Sequence, residues 1–561
     1  MYLRTTSRRN RDGSLVRYYQ LAENVWDPQK RCAVARVVYS FGRAEDQEAE
    51  KLRRLARSIL RVFPDEATIT AEDDIRILDS RPYGGVYVLE ALWRELGIPE
   101  VLRAHLPPGS RETYERALFA MVANRALAPY SKRYCHEQWV PEEVHLPSAA
   151  SLALHQLYFA MDALERCKEE IEKEIYFRTA DLMKADVDLI FYDTTSLHFE
   201  IDEEDAAEVA VQRVGRSYPP LRRRGKSKAG RGDAPQILVA LAVTRDGLPV
   251  RSWVFPGQTN DGTTVARVKE DLRGWRLGRC VFVGDAGMNS EANRRALALG
   301  SGKYILATKM RAGDEVTHEV LTRAGRFQQV RDNLRVKEVV VGDGERRRRY
   351  VVCFNPEEAT RQQTHRETLL DLLQAELAAL DKAPADPGHS KRACELVASH
   401  RFGRYLRQRP RGGLRLDRAA VAREAKLDGK WVVTSNDDTL TAEDLALGYK
   451  QLMRVEECWR ALKSGLRMRP VNHWRPHRVC AHVSLCVLAL LLERVAEIRA
   501  GDTWRNLRAQ LQTIKVVEYR RGGARIVQTT DLRPEVARLL GKLAVAPPPR
   551  VHEVTATGEP A

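Results

Sequence analysis

The sequence lacks the features that mark several common classes of protein. No two of its nine cysteines are separated by two residues, the Cys-x2-Cys spacing used by zinc knuckles and thiol-redox sites. Its longest apolar run, Val483 to Leu492, is too short to cross a bilayer, and its first residues, MYLRTTSRRNRDGS, contain no apolar signal segment. It also has no glycine-rich phosphate loop. We therefore expect a cytoplasmic protein with reduced thiols and without a membrane partner.

The charge of the chain is unbalanced. Lysine and arginine number 92 against 76 aspartates and glutamates, which gives a net charge of +16 over 561 residues. A surplus of this size favours a polyanionic partner, and nucleic acid is the most common one, although a basic soluble protein without such a partner has a similar composition. The chain is too long to fold around a single hydrophobic core, which indicates several domains.

Composition and periodicity divide the chain into six segments. The first has strand patterns at Val16–Leu21 and Ala33–Phe41, followed by a charged helix from about Glu45 to Val62. The basic stretch Arg213–Arg231 has no apolar periodicity and is expected to be a mobile loop, either solvated or in contact with DNA phosphates. The segments are a β-rich arm plus helix (1–80), a helical bundle for packing, dimerisation or DNA binding (81–180), the first part of a catalytic core (181–308), an insertion (309–429), the second part of the core (430–500) and a C-terminal extension (501–561).

The predicted core begins with three strands and continues with helix, strand, helix and strand, an order typical of a mixed α/β sheet. The insertion does not continue this order, since it contains a long helix from about Arg366 to Leu380, and strand-like sequence returns only at Lys430. The core strands are Val187–Tyr192, Ile237–Val243, Val250–Phe255, Val281–Val283 and Tyr304–Ala307, and the helices are Thr263–Leu272 and Ser290–Leu299.

Two acidic residues follow apolar strands of this core. Asp193 interrupts a strand that is apolar on both faces, where a carboxylate is costly unless it is paired or binds a metal. The hydroxyls of Thr194 and Ser196 offer a purely structural alternative. Asp285 stands between two glycines at the carboxyl end of a strand, where α/β sheets bind ligands, although an aspartate that only forms a turn has the same pattern.

A third acid lies in GYKQLMRVEECWRALKSGLRMRP, which is predicted to be one helix. At about 100° per residue, Tyr449, Glu456, Arg460 and Lys463 share one stripe, whereas Glu457 points roughly 100° away from Glu456. A carboxylate flanked by two cations and a tyrosine suits a metal ligand beside groups that hold DNA phosphates. A solvated Glu–Arg pair is the structural alternative.

The three acids together indicate a metal site. Carboxylates such as Asp193, Asp285 and Glu456 supply the oxygen ligands that Mg²⁺ and Mn²⁺ prefer. A two-metal site clamps the attacking and leaving oxygens of an in-line phosphoryl displacement, so the protein needs no covalent nucleophile. Water attacks first, and a freed 3′-hydroxyl can attack later.

These residues resemble the signature of the DDE transposases of bacterial insertion sequences, in the branch with a Tyr-x2-Arg-x3-Glu-x6-Lys pattern. Here the pattern reads Tyr449, Leu452, Glu456, Lys463, with leucine at the arginine position and Arg460 as our candidate for the missing charge. YDTTSLHFE and GDAGMNSE resemble the segments of the family's two catalytic aspartates. QILVALAVTRDGLPVRSWVFPGQTND resembles its hairpin and Gly-x-x-x-Asp region, and YLRTTSRRNRDGSLVRYYQLAE resembles the opening of its longer members.

The resemblance implies a ribonuclease-H-like α/β fold, a mixed sheet flanked by helices, with a large insertion before the catalytic glutamate helix and a mostly helical N-terminal region. It implies that Asp193, Asp285 and Glu456 are catalytic and bind two Mg²⁺ ions, for which Mn²⁺ may substitute. Tyr449 and Lys463, with Arg460 by our inference, would hold the DNA end.

The implied reaction is cut-and-paste transposition at the bacterial nucleoid. Its partners would be terminal inverted repeats, target DNA and a second copy of the chain in a homodimeric synaptic complex, and members of this branch can pass through a DNA hairpin. Two alternatives remain at this stage: a catalytically inactive, transposase-derived DNA-binding protein, and a nuclease on the same core. The presence of all three acids argues against the first.

Overall fold

The computed structural model describes most of the chain and groups it into two compact units. The first unit is Met1–Ser80 with Val517–Gln528 and Val551–Ala561, and the second is Arg81–Val516 with Thr529–Arg550. Apart from residue 54, the helix predicted from Glu45 to Val62 lies outside the described residues. The described residues are 2–9, 15–27, 32–43, 54, 75–184, 188–206, 211–228, 230–273, 275, 280–311, 315–382, 388–410, 413–521 and 523–556.

The strands and the longer helices of both units are numbered here in chain order. The strands are β1 (Tyr2–Arg9), β2 (Leu15–Asp27), β3 (Cys32–Arg43), β4 (Arg76–Pro82), β5 (Leu189–His198), β6 (Val211–Arg213), β7 (Arg216–Tyr218), β8 (Gln236–Val243), β9 (Pro249–Pro256), β10 (Val281–Gly284), β11 (Lys303–Thr308), β12 (Gln328–Arg331), β13 (Leu334–Val341), β14 (Arg348–Phe354), β15 (Leu406–Gln408), β16 (Leu414–Leu416), β17 (Lys430–Ser435), β18 (Lys515–Arg521), β19 (Ala524–Thr529) and β20 (Val551–Ala556). The longer α-helices are α1 (Gly84–Glu95), α2 (Ile98–His105), α3 (Arg111–Leu127), α4 (Leu154–Arg166), α5 (Lys168–Leu182), α6 (Asp261–Arg273), α7 (Glu291–Ala298), α8 (Pro356–Lys382), α9 (His389–Ala398), α10 (Arg418–Ala425), α11 (Ala442–Lys450), α12 (Met453–Arg460), α13 (Pro476–Ala500), α14 (Trp504–Leu511) and α15 (Pro534–Lys542).

The first unit contains an antiparallel sheet in the order β1-β2-β3. It confirms the two strands predicted in the N-terminal arm. A second sheet, in the order β20-β19-β18-β4, joins the arm's last strand to strands near the C-terminus. The C-terminal extension therefore does not form a unit of its own.

The second unit is built around a mixed sheet. Nine strands of the described chain form it, in the order β12-β13-β14-β17-β11-β10-β5-β8-β9. Strands β5, β10 and β11 are parallel, whereas β8 and β17 are antiparallel to their neighbours. The predicted fold class, a mixed α/β sheet flanked by helices, is confirmed.

Both faces of the sheet are buried. Alternate residues of a strand point to opposite faces, and on β5 the side chain of Phe191 packs with α11, α12 and α13. Its neighbours Ile190 and Tyr192 pack on the other face with α6 and α7. A strand that is buried on both faces must be apolar throughout, which is why the sequence pattern identified β5.

Strand β5 is longer than predicted. It continues past Asp193 to His198 because β8 pairs with it residue by residue, from Phe191↔Val243 to His198↔Gln236. Asp193 therefore lies inside a strand rather than at its end. The residues before and after it in the chain are also paired with β8.

The predicted insertion, 309–429, is only partly an insertion. Strands β12, β13 and β14 extend the central sheet, since β14 pairs with β17 from Arg349↔Ser435 to Phe354↔Lys430. The remaining part, with α8, α9 and α10, has a small apolar cluster of its own around Leu373 and Tyr405. The sequence could not show this division because the pairing joins strands about eighty residues apart.

The predicted helical bundle, 81–180, shares its core with the rest of the second unit. Helices α3 and α4 pack against α13. Helix α13 is long and apolar enough to cross a membrane by length and composition, and 94% of its most apolar window is buried inside the fold. The run Val483 to Leu492 is therefore the centre of a core helix.

The basic stretch Arg213–Arg231 is not the mobile loop that its charge pattern predicted. It begins in the hairpin of β6 and β7, and Leu221 is 2% exposed. Arg223 exchanges two backbone hydrogen bonds with Gln236. These contacts hold the stretch across the end of β8, which brings it to the acids described next.

Candidate active site

Asp193 and Asp285 lie on neighbouring parallel strands. The register of β5 and β10 includes Val283↔Phe191, and two residues further along each strand it places Asp285 level with Asp193. Asp285 keeps an extended backbone there. Neighbouring strands are about 4.8 Å apart, so the two carboxylates leave the sheet side by side.

Asp193 lies in a crowded electrostatic environment. Its side chain is 21% exposed, and its Oδ1 lies 3.7 Å from Nζ of Lys228. Burial raises the pKa of Asp193, the Lys228 ammonium lowers it, and the carboxylates of Asp285 and Asp261 raise it, with a net upward shift. Burial and two other acids therefore oppose ionisation of Asp193, and a nearby cation favours it.

Asp285 is exposed and caps a short helical turn. Its Oδ1 accepts a hydrogen bond of 2.5 Å from the backbone nitrogen of Ala286. The turn Ala286–Met288 then leads through Ser290 into α7. The turn-forming role considered from the sequence is therefore present, and the exposed second carboxylate oxygen is available to a ligand.

Glu456 lies on α12, which is not continuous with the helix that carries Tyr449. Helix α11 ends at Lys450, α12 begins at Met453, and a π-helical turn follows at Ala461–Gly465. The single predicted helix was wrong because the backbone nitrogens of Leu452, Arg454 and Val455 donate to carbonyl oxygens three residues earlier, which interrupts the α-helical pattern. The angular positions that a straight helix would give therefore do not apply across this stretch.

Tyr449 nevertheless links the three acids. Burial raises its pKa, and the negative charges of Asp285, Glu456 and Asp193 raise it further, in that order. These charges come from β10, α12 and β5, which are far apart in the sequence. The structure therefore brings all three predicted acids to the surroundings of one phenol hydroxyl.

Lys463 joins the same group. It lies in the π-helical turn, where burial lowers its pKa, Arg469 and Lys228 lower it and Asp193 raises it. The negative charge of Asp193 therefore acts on the Lys463 ammonium.

Arg460 has different surroundings. It lines a cleft of about 1180 Å³ with Arg454 and Glu457, which form an ion pair of 2.9 Å. No described contact joins Arg460 to the three acids, and its suggested role in place of the charge missing at Leu452 stays a prediction. The other arginines that line the cleft are Arg467, Arg494, Arg505 and Arg508.

Lys228 and Asp261 belong to the site but were not singled out in the sequence. Nζ of Lys228 lies 3.0 Å from Oδ2 of Asp261, and Asp261 is the first residue of α6. Two signals were present, the basic stretch that contains Lys228 and the Gly-x-x-x-Asp segment that ends at Asp261. Neither signal indicated that the two side chains meet beside Asp193.

The donor set fits a divalent cation in chemistry, but it is not assembled around one. Within the described ranges, no three histidine, cysteine, aspartate or glutamate side chains lie close enough together to hold a metal ion as they stand. Oxygen atoms of Thr194 and Asp261 already surround the Lys228 ammonium. Asp285 and Glu456 are exposed and make no ion pair within the described chain, so their carboxylates can rotate towards Asp193.

Comparison with known proteins agrees with this geometry. The family model described as "Transposase DDE domain" matches residues 205–492, more than half of the chain. The chain belongs to the DDE transposases. A second model, described as "IS1634 family transposase, N-terminal domain", matches residues 3–71 of the transposase. The predicted family, a DDE transposase of bacterial insertion sequences, is confirmed.

The transposase is therefore an enzyme that cleaves DNA and transfers strands, and enzymes with this domain generally use divalent metal ions. The matched domain includes Asp285 and Glu456 and begins shortly after Asp193. No curated protein matches the transposase. A solved structure of the piggyBac transposase in a synaptic complex with hairpin DNA is similar to the transposase over 76% of this chain and 79% of that one. The two chains are 10% identical, and the TM-score is 0.33.

Proposed function

We propose that Asp193, Asp285 and Glu456 are the catalytic acids of the transposase and bind two Mg²⁺ ions, for which Mn²⁺ can substitute. One observation carries this proposal. The charges of the three acids converge on the Tyr449 hydroxyl although the acids come from three separate elements. Acids that act on one phenol hydroxyl also repel one another, and a divalent cation bound by their carboxylates would relieve that repulsion.

The three carboxylates are proposed to bind the metal in two ways, one from a fixed position and two after rotation of their side chains. Asp193 is fixed within β5 and supplies the anchored ligand, while the exposed side chains of Asp285 and Glu456 complete the site by rotation. When bound, two divalent ions lower the pKa of a water or 3′-hydroxyl and stabilise the charge of the phosphate under attack. The same residues therefore serve hydrolysis and strand joining.

Tyr449 and Lys463 are proposed to hold the scissile phosphate. The raised pKa of Tyr449 keeps its phenol protonated, so that it donates a hydrogen bond to a phosphate oxygen. Lys463 adds a positive charge near Asp193. Both residues stand at the spacing of the family's Tyr and Lys.

Arg460 is proposed to bind DNA further from the cut. The arginine-lined cleft adjoins α12, the helix that carries Glu456. Arg460 and Arg505 have no ion-pair partner within the described chain, and unpaired guanidinium groups bind phosphates well. The cleft therefore offers a path for the duplex on one side of the active site.

We further propose cut-and-paste transposition between terminal inverted repeats and a target DNA. A homodimer would hold two ends in one synaptic complex, and members of this branch can pass through a DNA hairpin. The reaction would take place at the bacterial nucleoid. The six segments predicted from the sequence, amended as described for the insertion and the C-terminal extension, stay our proposal for its domains.

A strand-transfer assay tests this function. A labelled, pre-cleaved element end is incubated with a supercoiled target and Mg²⁺, and joined products are separated on a gel. We expect joining by the wild type and none by Asp285→Ala. If the wild type joins no ends but cleaves an intact element end in a parallel reaction, the protein is a nuclease on the same core and the proposal is contradicted.

A further inference from the structure

A short segment carries a cation into the group of acids. We call residues 219–228 the strap. Near its start, Leu221 accepts a hydrogen bond of 3.0 Å from the backbone nitrogen of Gly257, and Arg223 pairs with Gln236. At its end, the backbone nitrogen of Lys228 donates to Oγ of Ser196, at 3.0 Å. The strap is therefore attached to the central sheet at both ends.

The ammonium group of Lys228 is fully bonded to oxygen. Its Nζ donates to the carbonyl oxygen of Thr194 at 2.7 Å and to Oγ1 of the same residue at 2.9 Å. It also lies 3.0 Å from Oδ2 of Asp261. A lysine ammonium has three hydrogens, and these three acceptors use all of them. The Lys228 side chain is 38% exposed, so it can leave the site without unfolding the core.

The ammonium lies where a metal on Asp193 would be strongly affected by it. Oδ1 of Asp193 is 3.7 Å from Nζ of Lys228. Metal–carboxylate distances are about 2.1 Å for Mg²⁺, so an ion on that oxygen would lie within about 6 Å of the ammonium. A divalent ion and a lysine ammonium repel each other at this distance, and partial burial weakens the screening by water.

We propose that Lys228 is a built-in counter-ion of the metal site, which offsets part of the negative charge of Asp193 and Asp261 in the free protein and competes with the divalent metal for them. The inference rests on the proposed function, because it takes Asp193 as a metal ligand. Asp261 is the tether that keeps the ammonium in place, and Lys228 is a positioning residue. Metal binding therefore requires Lys228 to withdraw.

The test is calorimetric titration of the full-length protein with MnCl₂ in the absence of DNA. Wild type, Lys228→Met and Lys226→Met are compared, and thermal unfolding in EDTA is recorded for each. Lys226 is the matched control because it lies in the strap, is exposed and makes no described contact with the acids.

We expect Lys228→Met to bind Mn²⁺ at least about tenfold more tightly than wild type. It should also melt at a lower temperature in EDTA, since two carboxylates lose their counter-ion. Lys226→Met should match wild type in both measurements. If Lys228→Met does not fold, Lys228→Gln removes the charge while keeping a donor to Thr194, and the same tightening is expected. Lys228→Arg, which keeps the charge, should stay within about threefold of wild type.

Unchanged or weaker Mn²⁺ binding by the uncharged variants would overturn the inference. Asp193→Asn separates this failure from failure of the proposed function. If Asp193→Asn still binds Mn²⁺ as wild type does, the proposed site is wrong. If Asp193→Asn loses Mn²⁺ while Lys228→Met is unchanged, only the role of Lys228 is wrong.

Discussion

Glu456 and Glu457 are neighbours in the chain with different surroundings. Glu456 is exposed, and its negative charge raises the pKa of Tyr449. Glu457 forms an ion pair with Arg454 and lines the arginine-lined cleft. A side chain that already has a partner on the other side of the helix is poorly placed to bind a metal beside Asp193. The pair therefore gives a matched test of the site at the level of single residues.

Glu456→Ala should reduce cleavage of an element end by at least about a thousandfold, as loss of a central catalytic group does. Glu457→Ala loses one exposed ion pair, worth about 0.5 kcal/mol or less, and should cleave within about threefold of wild type. Initial cleavage rates with Mg²⁺ measure both. An inactive Glu457→Ala beside an active Glu456→Ala would show that the wrong glutamate has been assigned.

Lys463→Ala should weaken binding of the element end. A phosphate contact by Lys463 contributes about 0.9 to the slope of log K against log salt, so the variant's slope should be smaller by that amount. Fluorescence anisotropy over a range of KCl concentrations measures it. Lys391→Ala, on the exposed side of α9, is the control and should leave the slope unchanged. A wild-type slope for Lys463→Ala would mean that its ammonium contacts no phosphate.

The sequence identified candidate residues by type and spacing, but not their partners. Asp193 and Asp285 were found because a carboxylate beside an apolar strand is unusual. Lys228 and Asp261 were missed because their meeting depends on how the strap crosses β8, which no local pattern records. The angular position of Arg460 relative to Tyr449 was inferred for one straight helix, but the chain is interrupted between α11 and α12, so the suggestion that Arg460 replaces the arginine missing at Leu452 stays a prediction.

At the scale of elements, the strap depends on one glycine. A Cβ on Gly257 would lie 2.1 Å from the carbonyl oxygen of Gln236 and 2.2 Å from that of Arg223. Both are backbone atoms, so they cannot rotate away. Gly257 therefore permits the close approach of the strap to β8 and β9.

Gly257→Ala should lower the free energy of unfolding by about 2 kcal/mol, because the strap must separate from β8. Chemical denaturation monitored by fluorescence measures the change. Gly109→Ala is the control, since a Cβ there meets nothing within 4 Å, and it should change stability by less than about 0.5 kcal/mol. Equal stability of the two variants would contradict the tight packing described for the strap.

Elements with strong local patterns could be predicted, and pairings between distant strands could not. The predicted strand Ile237–Val243 corresponds to β8, and the predicted helix Thr263–Leu272 to α6. Both have continuous or periodic apolar patterns. The long stretch β12–β14 was assigned to an insertion because its place in the sheet depends on pairing with β17. The break between α11 and α12 is a local change in backbone hydrogen bonding that no glycine or proline marks in the sequence.

At the scale of the whole molecule, the basic charge and the acidic site have complementary roles. A net charge of +16 favours the approach of DNA. Lys228 and Lys463 lie near Asp193, and the arginine-lined cleft adjoins the helix that carries Glu456. We expect these basic groups to draw DNA towards the proposed metal site.

Cleavage of a labelled DNA that carries the element's own end tests the central claim most directly. Wild type, Asp193→Asn, Asp285→Asn and Glu456→Gln are compared with Mg²⁺, with Mn²⁺ and with EDTA, and DNA binding is measured in parallel. We predict metal-dependent cutting by wild type alone, with binding by all four proteins within about threefold. Cutting by any one variant would remove that acid from the site, and binding without cutting by wild type under both metals would contradict the account as a whole.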